Sequence, residues 1–314
     1  MEKYALGVDI GGTTVKLGLF LADGTLCEKW EIPTRTEDQG CHILPDVAAS
    51  IRAALERRGI APAQAAGIGI GVPGPVDGQN TVFKCVNLGW GVLNVKEEMN
   101  RLLPEIPRVR AANDANAAAL GELWKGGGMG YHSAVMVTLG TGVGGGVALD
   151  GQIVAGAHGG AGEIGHMTVE PLETVPCSCG KRGCLEQYAS ANGIVRMGRQ
   201  MLADCAAPSA LRQIEPLTAR DICDQARAGD GMALRILDRC AGYLGRALSY
   251  VSCVIDPDVF VIGGGMSRAG DILLSAMKAY HKKYAFHVSA DTPMTLARLG
   301  NDAGICGCAR MVLR

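Results

Sequence analysis

Two stretches of the chain share one pattern, in which an apolar strand leads into a glycine and threonine turn and a second apolar strand follows. The first stretch, Tyr4–Phe20, runs on to the pair Asp23-Gly24, a strong signal for a hairpin turn. The second stretch, Ala134–Val154, has the same order of elements and contains the hairpin pair Asp150-Gly151. This internal repeat predicts two glycine-turn hairpins, one in each of two domains.

Periodic apolar positions outside these hairpins predict helices and buried strands. Pro45–Gly59 has apolar residues four positions apart and a glycine at its end, which indicates an amphipathic helix. Two apolar runs, Ala66–Asp77 and Asp258–Gly265, read as buried strands that end in glycine-rich loops. A long helix is predicted over Leu234–Val251. We assign one face of this helix to the core: Leu234, Leu237, Ala241, Leu244, Leu248 and Val251.

One predicted strand ends in polar side chains and not in glycines. Val109–Glu122 reads as a short strand that ends at Asn113 and Asp114, followed at once by an alanine-rich helix. Both side chains are favoured N-caps, but only one of two adjacent residues can cap the helix. The other is expected to face outward from the strand end, where open α/β sheets place their ligands.

Composition and charge narrow the classes of function. The 314 residues suffice for two domains with a large core, and the net charge of −1 gives no reason to expect nucleic acid or an anionic membrane as a partner. The N-terminal sequence does not resemble a signal peptide, and no window is apolar over the length of a membrane span. We therefore expect a cytoplasmic protein with reduced cysteines, of which there are twelve.

The cysteine-rich stretch from Glu163 to Glu186 carries the most specific chemistry. Thiolates combined with one imidazole are the ligand set of a closed, tetrahedral structural zinc site. Carboxylates stand at both ends of the stretch, so a zinc-shaped loop is expected to present Glu163, His166 and Glu186 to a substrate. The candidate zinc ligands are His166, Cys177, Cys179 and Cys184.

The glycine turns are candidates for nucleotide binding. Backbone N–H groups in such turns can hold a phosphate, and Asp9 at a strand end can hold a hard cation directly or through water. Glycines that follow a buried strand allow a flat adenine ring to approach the backbone. The candidate residues are Asp9, Gly11, Gly12, Thr13, Thr14, Gly140, Thr141, Gly142, Gly263, Gly264 and Gly265.

Six motifs in one order give the chain a family resemblance. Together they resemble the ROK family of sugar kinases, which belongs to the fold group of hexokinases, actin and Hsp70-type ATPases. N-L-G-W around Asn87 and the run Glu186–Val195 look like the bacterial glucokinase branch. The motifs are D-I-G-G-T-T (Asp9–Thr14), G-V-P-G-P-V-D (Gly71–Asp77), N-D-A-N-A (Asn113–Ala117), L-G-T-G-V-G-G-G (Leu139–Gly146), E-I-G-H-M (Glu163–Met167) and C-S-C-G-K-R-G-C-L-E (Cys177–Glu186).

The resemblance implies a duplicated α/β fold of the actin-like, hexokinase-like (ribonuclease H-like) ATPase type, with each half a mixed sheet flanked by helices and the active site in the cleft between them. The expected small N-terminal domain spans residues 1–118 and is completed by a C-terminal helix near 303–314. The expected large domain spans residues 119–302 and contains the zinc-stapled loop 163–186.

The resemblance also implies the function. It implies an ATP-dependent hexose kinase, most similar to glucokinases, which uses ATP and Mg²⁺ at the glycine turns and holds structural Zn²⁺ on His166 and the three cysteines. It assigns the role of catalytic base to Asp114 and suggests a homodimer. The sugar-binding residues that it implies, with Gly74 as part of the pocket, are Gly74, Asn87, Asn113, Asp114, Glu163, His166 and Glu186.

Other functions of related sequences stay open at this point. The same scaffold phosphorylates N-acetylglucosamine, N-acetylmannosamine, fructose or allose, and a difference of one or two hydroxyl contacts decides among them. Part of the family consists of sugar-sensing regulators with an added DNA-binding domain, for which the eight residues before Asp9 are too few. A zinc-stapled sugar-binding module without catalysis would not need two phosphate turns.

Overall fold

A computed structural model describes residues 3–313 of the chain. The strands are β1 (Tyr4–Ile10), β2 (Thr14–Leu21), β3 (Leu26–Pro33), β4 (Ala65–Val72), β5 (Thr81–Val82), β6 (Leu93–Asn94), β7 (Val109–Asn113), β8 (Ala134–Leu139), β9 (Val143–Leu149), β10 (Gln152–Ile153), β11 (Val259–Gly263) and β12 (Met294–Leu296). The α-helices are α1 (Glu37–Gly40), α2 (Ile43–Arg57), α3 (Val95–Leu102), α4 (Asp114–Lys125), α5 (Glu186–Ala189), α6 (Ala191–Asp204), α7 (Ala219–Arg227), α8 (Gly231–Ile255), α9 (Asp271–Tyr284) and α10 (Ala303–Val312).

The two large sheets have the same strand order. The first runs β3-β2-β1-β4-β7 and the second runs β10-β9-β8-β11-β12. In the first sheet β1 is antiparallel to β2 and parallel to β4, and β4 is parallel to β7. In the second, β10 is antiparallel to β9 and β11 is parallel to β12. The repeat in the sequence is therefore a repeat of the sheet, with each glycine turn joining the first two strands in chain order.

The chain forms two compact units, and the boundary between them falls within β8 and β9. The predicted domain boundary at 118/119 lies inside α4, which is continuous to Lys125. All of α4 belongs to unit 1, which continues to Ala134. The division into a small and a large domain stays a prediction. Unit 1 consists of Met1–Ala134, Gly146–Gly162 and Arg298–Arg314, and unit 2 consists of Val135–Gly145 and Glu163–Ala297.

Helices cover both faces of the sheet in unit 1. Residues of α2 and α3 join one core, where Val47, Ile51 and Leu55 of the predicted amphipathic helix are almost fully buried. Helix α10 contributes Ile305 and Ala309 to a second, smaller cluster together with β1 and β2 residues. Each of these apolar stripes leaves water when it packs on the sheet, which is the main favourable term in forming the unit.

Helix α10 lies unusually close to its neighbours because glycines face it. A side chain on Gly7 of β1 or Gly69 of β4 would lie within 2 Å of a backbone carbonyl oxygen of α10. Gly307 of α10 makes an equally close approach to the backbone of α4. The last helix therefore packs backbone to backbone against the sheet and α4, which holds the end of the chain in unit 1.

Unit 2 is built around the long helix α8, which packs against α9. Ser252 of α8 and the buried His281 of α9 lie 2.8 Å apart, Oγ to Nε2. The predicted apolar face is buried from Leu237 to Val251, but Leu234 is 38% exposed. Leu234 lies about 60° around the helix from Leu237, at the edge of the stripe and close to the helix start.

Two further expectations concern the whole chain. All twelve cysteines lie within the described residues, and none of them forms a disulfide. Among the described helices, none has the length and apolar character that a membrane span requires.

Candidate functional site

The first glycine turn joins β1 to β2 in unit 1. The Gly11 N–H donates to the Thr14 carbonyl at 3.0 Å and closes the turn. Gly12 and Thr13 between them are exposed, and Asp9 stands next to the end of β1. The five predicted residues of this motif are therefore held together at one end of the first sheet.

Asp9 is held in an environment that opposes its ionisation. The pKa of Asp9 is raised from 3.8 to about 6, by burial first and by the negative charge of Asp114 second, and Lys16 offsets part of both effects. A side chain on Gly304, at the start of α10, would lie 2.5 Å from Asp9 Oδ2, so the carboxylate sits against the helix backbone. A carboxylate that feels a second carboxylate is electrostatically suited to a hard cation.

The structure shows which of Asn113 and Asp114 caps α4 and which is left at the strand end. Asn113 caps α4, because its Oδ1 accepts from the N–H groups of Ala115 at 2.9 Å and Asn116 at 3.2 Å. Its Nδ2 donates to the Gly74 carbonyl at 3.2 Å. Asp114 is the first residue of the helix, and its half-buried carboxylate accepts from the Ala115 N–H at 2.8 Å. The carboxylate at the strand end is thus positioned by a neighbour that performs the capping.

The two predicted sugar-binding residues in loops lie near these groups. Gly74 has a φ of +134°, a left-handed conformation that favours glycine. Asn87 is exposed in a short 3₁₀ helix, and its carbonyl is the nearest atom, at 3.9 Å, to a side chain built on Gly12. Trp90 anchors the same loop by donating from Nε1 to the Gly40 carbonyl at 3.1 Å. The loop therefore runs beside the first glycine turn.

The second glycine turn joins β8 to β9 within unit 2. The Gly140 N–H donates to the Gly142 carbonyl at 3.0 Å, and the Gly140 carbonyl accepts from the Ala191 N–H at 2.8 Å. Glu186 Oε2 accepts from the Val143 N–H at 3.1 Å. The turn is consequently tied to the cysteine-rich loop and to the start of α6.

A cavity of about 590 Å³ lies beside this turn, within unit 2. Three predicted nucleotide-binding residues, Gly140, Thr141 and Gly265, line it. Its volume falls in the range of small-molecule sites. The full lining is Leu139, Gly140, Thr141, Ala191, Thr218, Ala219, Arg220, Cys223, Asp224, Arg227, Gly265, Met266 and Arg268.

The predicted glycines fall into two groups according to the space around them. A side chain on Gly140 or Gly265 would meet no atom within 4 Å, so nothing in the fold itself requires glycine there. A side chain on Gly142 would lie 2.2 Å from Glu186 Oε2, and one on Gly264 would lie 2.5 Å from the Leu139 carbonyl oxygen. The first group suits the approach of a ligand to the backbone. Glycine is required by packing at Gly264, which faces backbone atoms, whereas Gly142 faces the end of a flexible side chain.

The four candidate zinc ligands converge in unit 2. The ligand atoms of His166, Cys177, Cys179 and Cys184 all lie within 4.8 Å of one another. Cys179 Sγ and Cys184 Sγ are 3.7 Å apart, and Cys177 Sγ lies 3.8 Å from His166 Nδ1. Sulfurs in a tetrahedral site with Zn–S bonds of about 2.3 Å are separated by about 3.8 Å. The donor set and its spacing therefore fit zinc.

The electrostatics of the cluster agree with this fit. Burial, followed by hydrogen bonds with the neighbouring thiols, raises the pKa of Cys184 to about 12. The backbone N–H of Lys181 is the first cause that lowers the pKa of Cys179. A bound metal would supply the positive charge that allows adjacent cysteines to bind it as thiolates.

The three predicted sugar contacts of unit 2 lie in this cluster or beside it. His166 directs Nδ1 to the thiols, while Nε2 lies 4.0 Å from Glu163 Oε2, and the Glu163 side chain is 52% exposed. Glu186 is more constrained, because Oε1 accepts from the Ser178 hydroxyl at 3.2 Å and Oε2 is held by the second glycine turn. Glu163 has the more accessible carboxylate of the two.

Helix α7 is the part of the site that sequence reasoning missed. Thr218 and Asp221 form a capping box at its start, a signal in the sequence that does predict a helix there. Arg220, Asp224 and Arg227 of this helix line the 590 Å³ cavity. Nothing local in the sequence says that this helix packs beside the second glycine turn.

Comparison with known proteins gives a family and a set of relatives. The sequence model of the ROK family matches residues 5–314. The glucokinase of Halalkalibacterium halodurans is 40% identical over 313 residues, covering 98% of this chain and 94% of the relative. The glucokinase of Thermotoga maritima is 35% identical over 319 residues, covering 99% of this chain and 98% of the relative.

A solved structure extends the similarity to the fold. The ROK family glucokinase of Streptomyces griseus, solved in complex with glucose and AMPPNP, superposes with a TM-score of 0.73 at 30% identity and covers 98% of both chains. Together with the repeated strand order of the two sheets, this match confirms the predicted duplicated, hexokinase-like α/β fold.

Proposed function

The chain belongs to the ROK family, and from that premise we propose that it is an ATP-dependent sugar kinase that phosphorylates glucose to glucose 6-phosphate. The observation that carries the proposal is the pairing at the end of β7, where Asn113 caps α4 and leaves the Asp114 carboxylate at the strand end. The glucokinases that resemble the chain over nearly its whole length support the choice of reaction.

Asp114 is the proposed general base. Phosphoryl transfer depends mostly on positioning and charge stabilisation, and it needs a group that takes the proton from the attacking hydroxyl. A carboxylate within hydrogen-bond reach of a primary hydroxyl can take that proton. Asn113 fixes the helix start through both its polar atoms and so holds the base in position.

The two glycine turns are the proposed grip on ATP and Mg²⁺. The first turn offers exposed backbone at Gly12 and Thr13, next to Asp9, whose pKa is raised partly by the charge of Asp114. A magnesium ion would offset that repulsion and neutralise phosphate charge. Gly140, Thr141 and Gly265 line a cavity of about 590 Å³ in unit 2, which suits the nucleoside.

The cysteine cluster is the proposed structural zinc site. Four protein ligands leave no open position for substrate, so the metal would shape the loop and take no part in the reaction. The remaining nitrogen of a metal-bound histidine usually donates to a partner, and His166 Nε2 is available to Glu163 or to a sugar hydroxyl. Sugar hydroxyls both donate and accept hydrogen bonds, so the carboxylates of Glu163 and Glu186 are suited to accept hydrogen bonds from them.

We also infer a homodimer, supported by an exposed apolar patch in unit 2. The patch lies at the C-terminal ends of α8 and α9 and just after α9, and its members are between 45% and 82% exposed. Large apolar side chains exposed at neighbouring element ends are typical of interaction sites. The apolar patch consists of Tyr250, Val254, Tyr284, Phe286 and Val288.

A coupled assay of ADP release tests the reaction and the substrate. We expect the highest kcat/KM with glucose among glucose, fructose, allose, N-acetylglucosamine and N-acetylmannosamine. Asp114→Asn should lower kcat by roughly 10²- to 10⁴-fold, the usual contribution of a general base. Asp204→Asn, which changes an exposed carboxylate at the end of α6, should retain the activity of the parent.

Two outcomes would count against parts of this proposal. Equal turnover by Asp114→Asn and the parent would remove the base assignment. Saturable sugar binding by the folded parent without any ADP release would favour a sugar sensor over a kinase. A preference for an N-acetylated sugar would support the assignment as a kinase, but it would show that glucose is not the preferred substrate.

A further inference from the structure

Unit 1 contains a second cavity, of about 390 Å³, beside the edge strand β7. It lies within unit 1 and is separate from the cavity assigned to the nucleoside. Its volume is within the range of sites for small molecules. No step of the proposed kinase reaction requires it.

The charged side chains that line the cavity are mostly basic. Arg108, Arg110 and Arg310 belong to its wall, and Asp77 is the one acidic residue among the described lining residues. The Asp77 carboxylate already accepts from the backbone N–H groups of Gln79 at 2.9 Å and Thr81 at 2.8 Å. The cavity therefore offers positive charge, and guanidinium groups are the side chains best suited to phosphate and carboxylate.

Strand geometry explains how these arginines come together. Arg110 is on β7 and Arg108 immediately precedes the strand, so their side chains share one face of the extended backbone, while Val109 between them belongs to the core on the other face. Arg108 Nη1 donates to the Val312 carbonyl at 3.3 Å, which holds it beside the end of α10. Arg310 of α10 is on the same side of the sheet.

Two of the three guanidinium groups are held by protein contacts, so the cavity is partly preorganised. Arg310 lies 5.1 Å from the ring centroid of Trp124, in a cation–π contact, and Arg108 has its backbone partner on α10. Arg110 is exposed and forms no ion pair within the described part of the chain. It is the group with the most freedom to turn toward an incoming anion.

The far wall of the cavity is the beginning of α4. Asn113 and Asn116 both line it. Asn116 is buried, and its Oδ1 accepts from the Val147 N–H at 3.1 Å. Asn113 caps the helix that begins with Asp114, so a ligand in the cavity would contact the residues that position the proposed base.

We propose that this cavity binds a small acidic phosphate ester, and that binding there changes the rate of sugar phosphorylation through the start of α4. The binding half of the proposal follows from the three arginines and stands without the kinase assignment. The regulatory half rests on the proposed function. Bidentate contacts from guanidinium groups would hold the phosphate, and the asparagine amides would contact the rest of the ligand.

Binding is tested by isothermal titration calorimetry of the full chain with 3-phosphoglycerate as the probe. We expect one saturable site in the parent, and about 10- to 100-fold weaker binding to Arg110→Gln, because each hydrogen bond to a charged group contributes that much to affinity. Arg239→Gln removes the same charge from an exposed position on α8 and should bind as the parent does. Absence of saturable binding to the parent, or equal binding by Arg110→Gln, would overturn the site.

Regulation is tested by initial rates at subsaturating glucose with and without 3-phosphoglycerate. We expect the probe to change the parent's rate by about fivefold or more, within the usual range of allosteric coupling, and to leave the rate of Arg110→Gln nearly unaffected. A parent that binds the probe with no change in rate would overturn the regulatory half. A parent that binds the probe but phosphorylates no sugar would contradict the proposed function and leave the binding site standing.

Discussion

At the scale of single residues, the candidate cation ligand Asp9 is expected to lower the stability of the fold at neutral pH. Its carboxyl pKa is raised from 3.8 to about 6 by burial first and by the charge of Asp114 second. The folded protein therefore favours the protonated form more than the unfolded chain does. The stabilising contribution of the carboxyl is complete below pH 3.8 and is lost as the pH rises through about 6.

Replacing Asp9 with asparagine should consequently stabilise the metal-free protein at neutral pH. We expect the free energy of unfolding of Asp9→Asn to exceed that of the parent by up to about 3 kcal/mol at pH 7.5. The difference should vanish only well below pH 3.8, where the Asp9 carboxyl is protonated in both the folded and the unfolded chain. Urea denaturation at a series of pH values in EDTA measures it. A difference that does not depend on pH would contradict the burial argument.

At the scale of secondary structure elements, a buried carboxylate joins the end of α4 to two other segments of unit 1. Glu122 is fully buried, and its oxygens accept from the N–H groups of Gly127 at 2.7 Å and Leu299 at 2.8 Å. The Arg298 N–H also lies within 3.1 Å of both oxygens. The carboxylate thus accepts from three backbone N–H groups at the point where the chain re-enters unit 1.

Glu122→Gln should destabilise the fold strongly. A carboxylate accepts at both oxygens, whereas an amide accepts at one and turns an N–H₂ group toward backbone donors. We expect a loss of about 2–4 kcal/mol in the free energy of unfolding by urea denaturation. Glu56→Gln, at an exposed position on α2, should change it by less than about 0.5 kcal/mol. Equal stability of the two variants would remove Glu122 from this structural role.

The cysteine-rich loop is expected to depend for its order on the proposed zinc ion. It contains few helical or strand hydrogen bonds beyond isolated bridges such as Thr168 to Cys184. A hydrogen-bonded cluster supports the middle of the loop, where Glu173 accepts from the Tyr188 hydroxyl at 2.6 Å and from Arg196 at 2.9 Å. The candidate ligand His166 is three residues from Glu163, so the loop's shape near Glu163 is expected to depend on the metal.

Elemental analysis of protein purified without chelator should find one zinc per chain. Removal of the metal with a strong chelator should lower Tm by more than about 5 °C, because binding energy at a structural zinc site is also folding energy. Cys179→Ser should reduce the zinc content well below one, whereas Cys253→Ser, at an exposed position on α8, should leave it unchanged. Zinc-free parent protein would remove the site.

At the scale of the whole molecule, the inferred homodimer depends on the apolar patch at the ends of α8 and α9. Phe286 is 56% exposed and Val254 is 82% exposed, and both would be covered in a dimer formed through this patch. Burial of apolar area of this kind is the main favourable term in most protein association.

Light scattering with size-exclusion chromatography measures the oligomeric state. The parent should have twice the mass of the chain, and Val254→Glu should shift it toward the monomer, because a charge in the contact loses its hydration. Leu172→Glu alters another exposed apolar side chain, 87% exposed, outside the patch and should remain dimeric. A monomeric parent at micromolar concentration would contradict the inference.

The sequence by itself determined the features that depend on neighbours along the chain. The glycine turns, the hairpin pairs, the amphipathic face of α2 and the set of candidate zinc ligands all follow from local backbone preferences and from side-chain chemistry. The order of these motifs was specific enough to indicate the family. It also limited the capping role to Asn113 or Asp114, because both are good caps in adjacent positions.

Only the tertiary structure decided what depends on distant segments. It gave the cap to Asn113, separated Gly140 from the packing-required Gly264, and brought α7 to the 590 Å³ cavity. It also placed Arg108 and Arg110, at the start of β7, beside Arg310, roughly two hundred residues later in the chain. The physical reason is that packing and shared charge act between residues that meet only in the folded chain, and no local pattern records which segments meet.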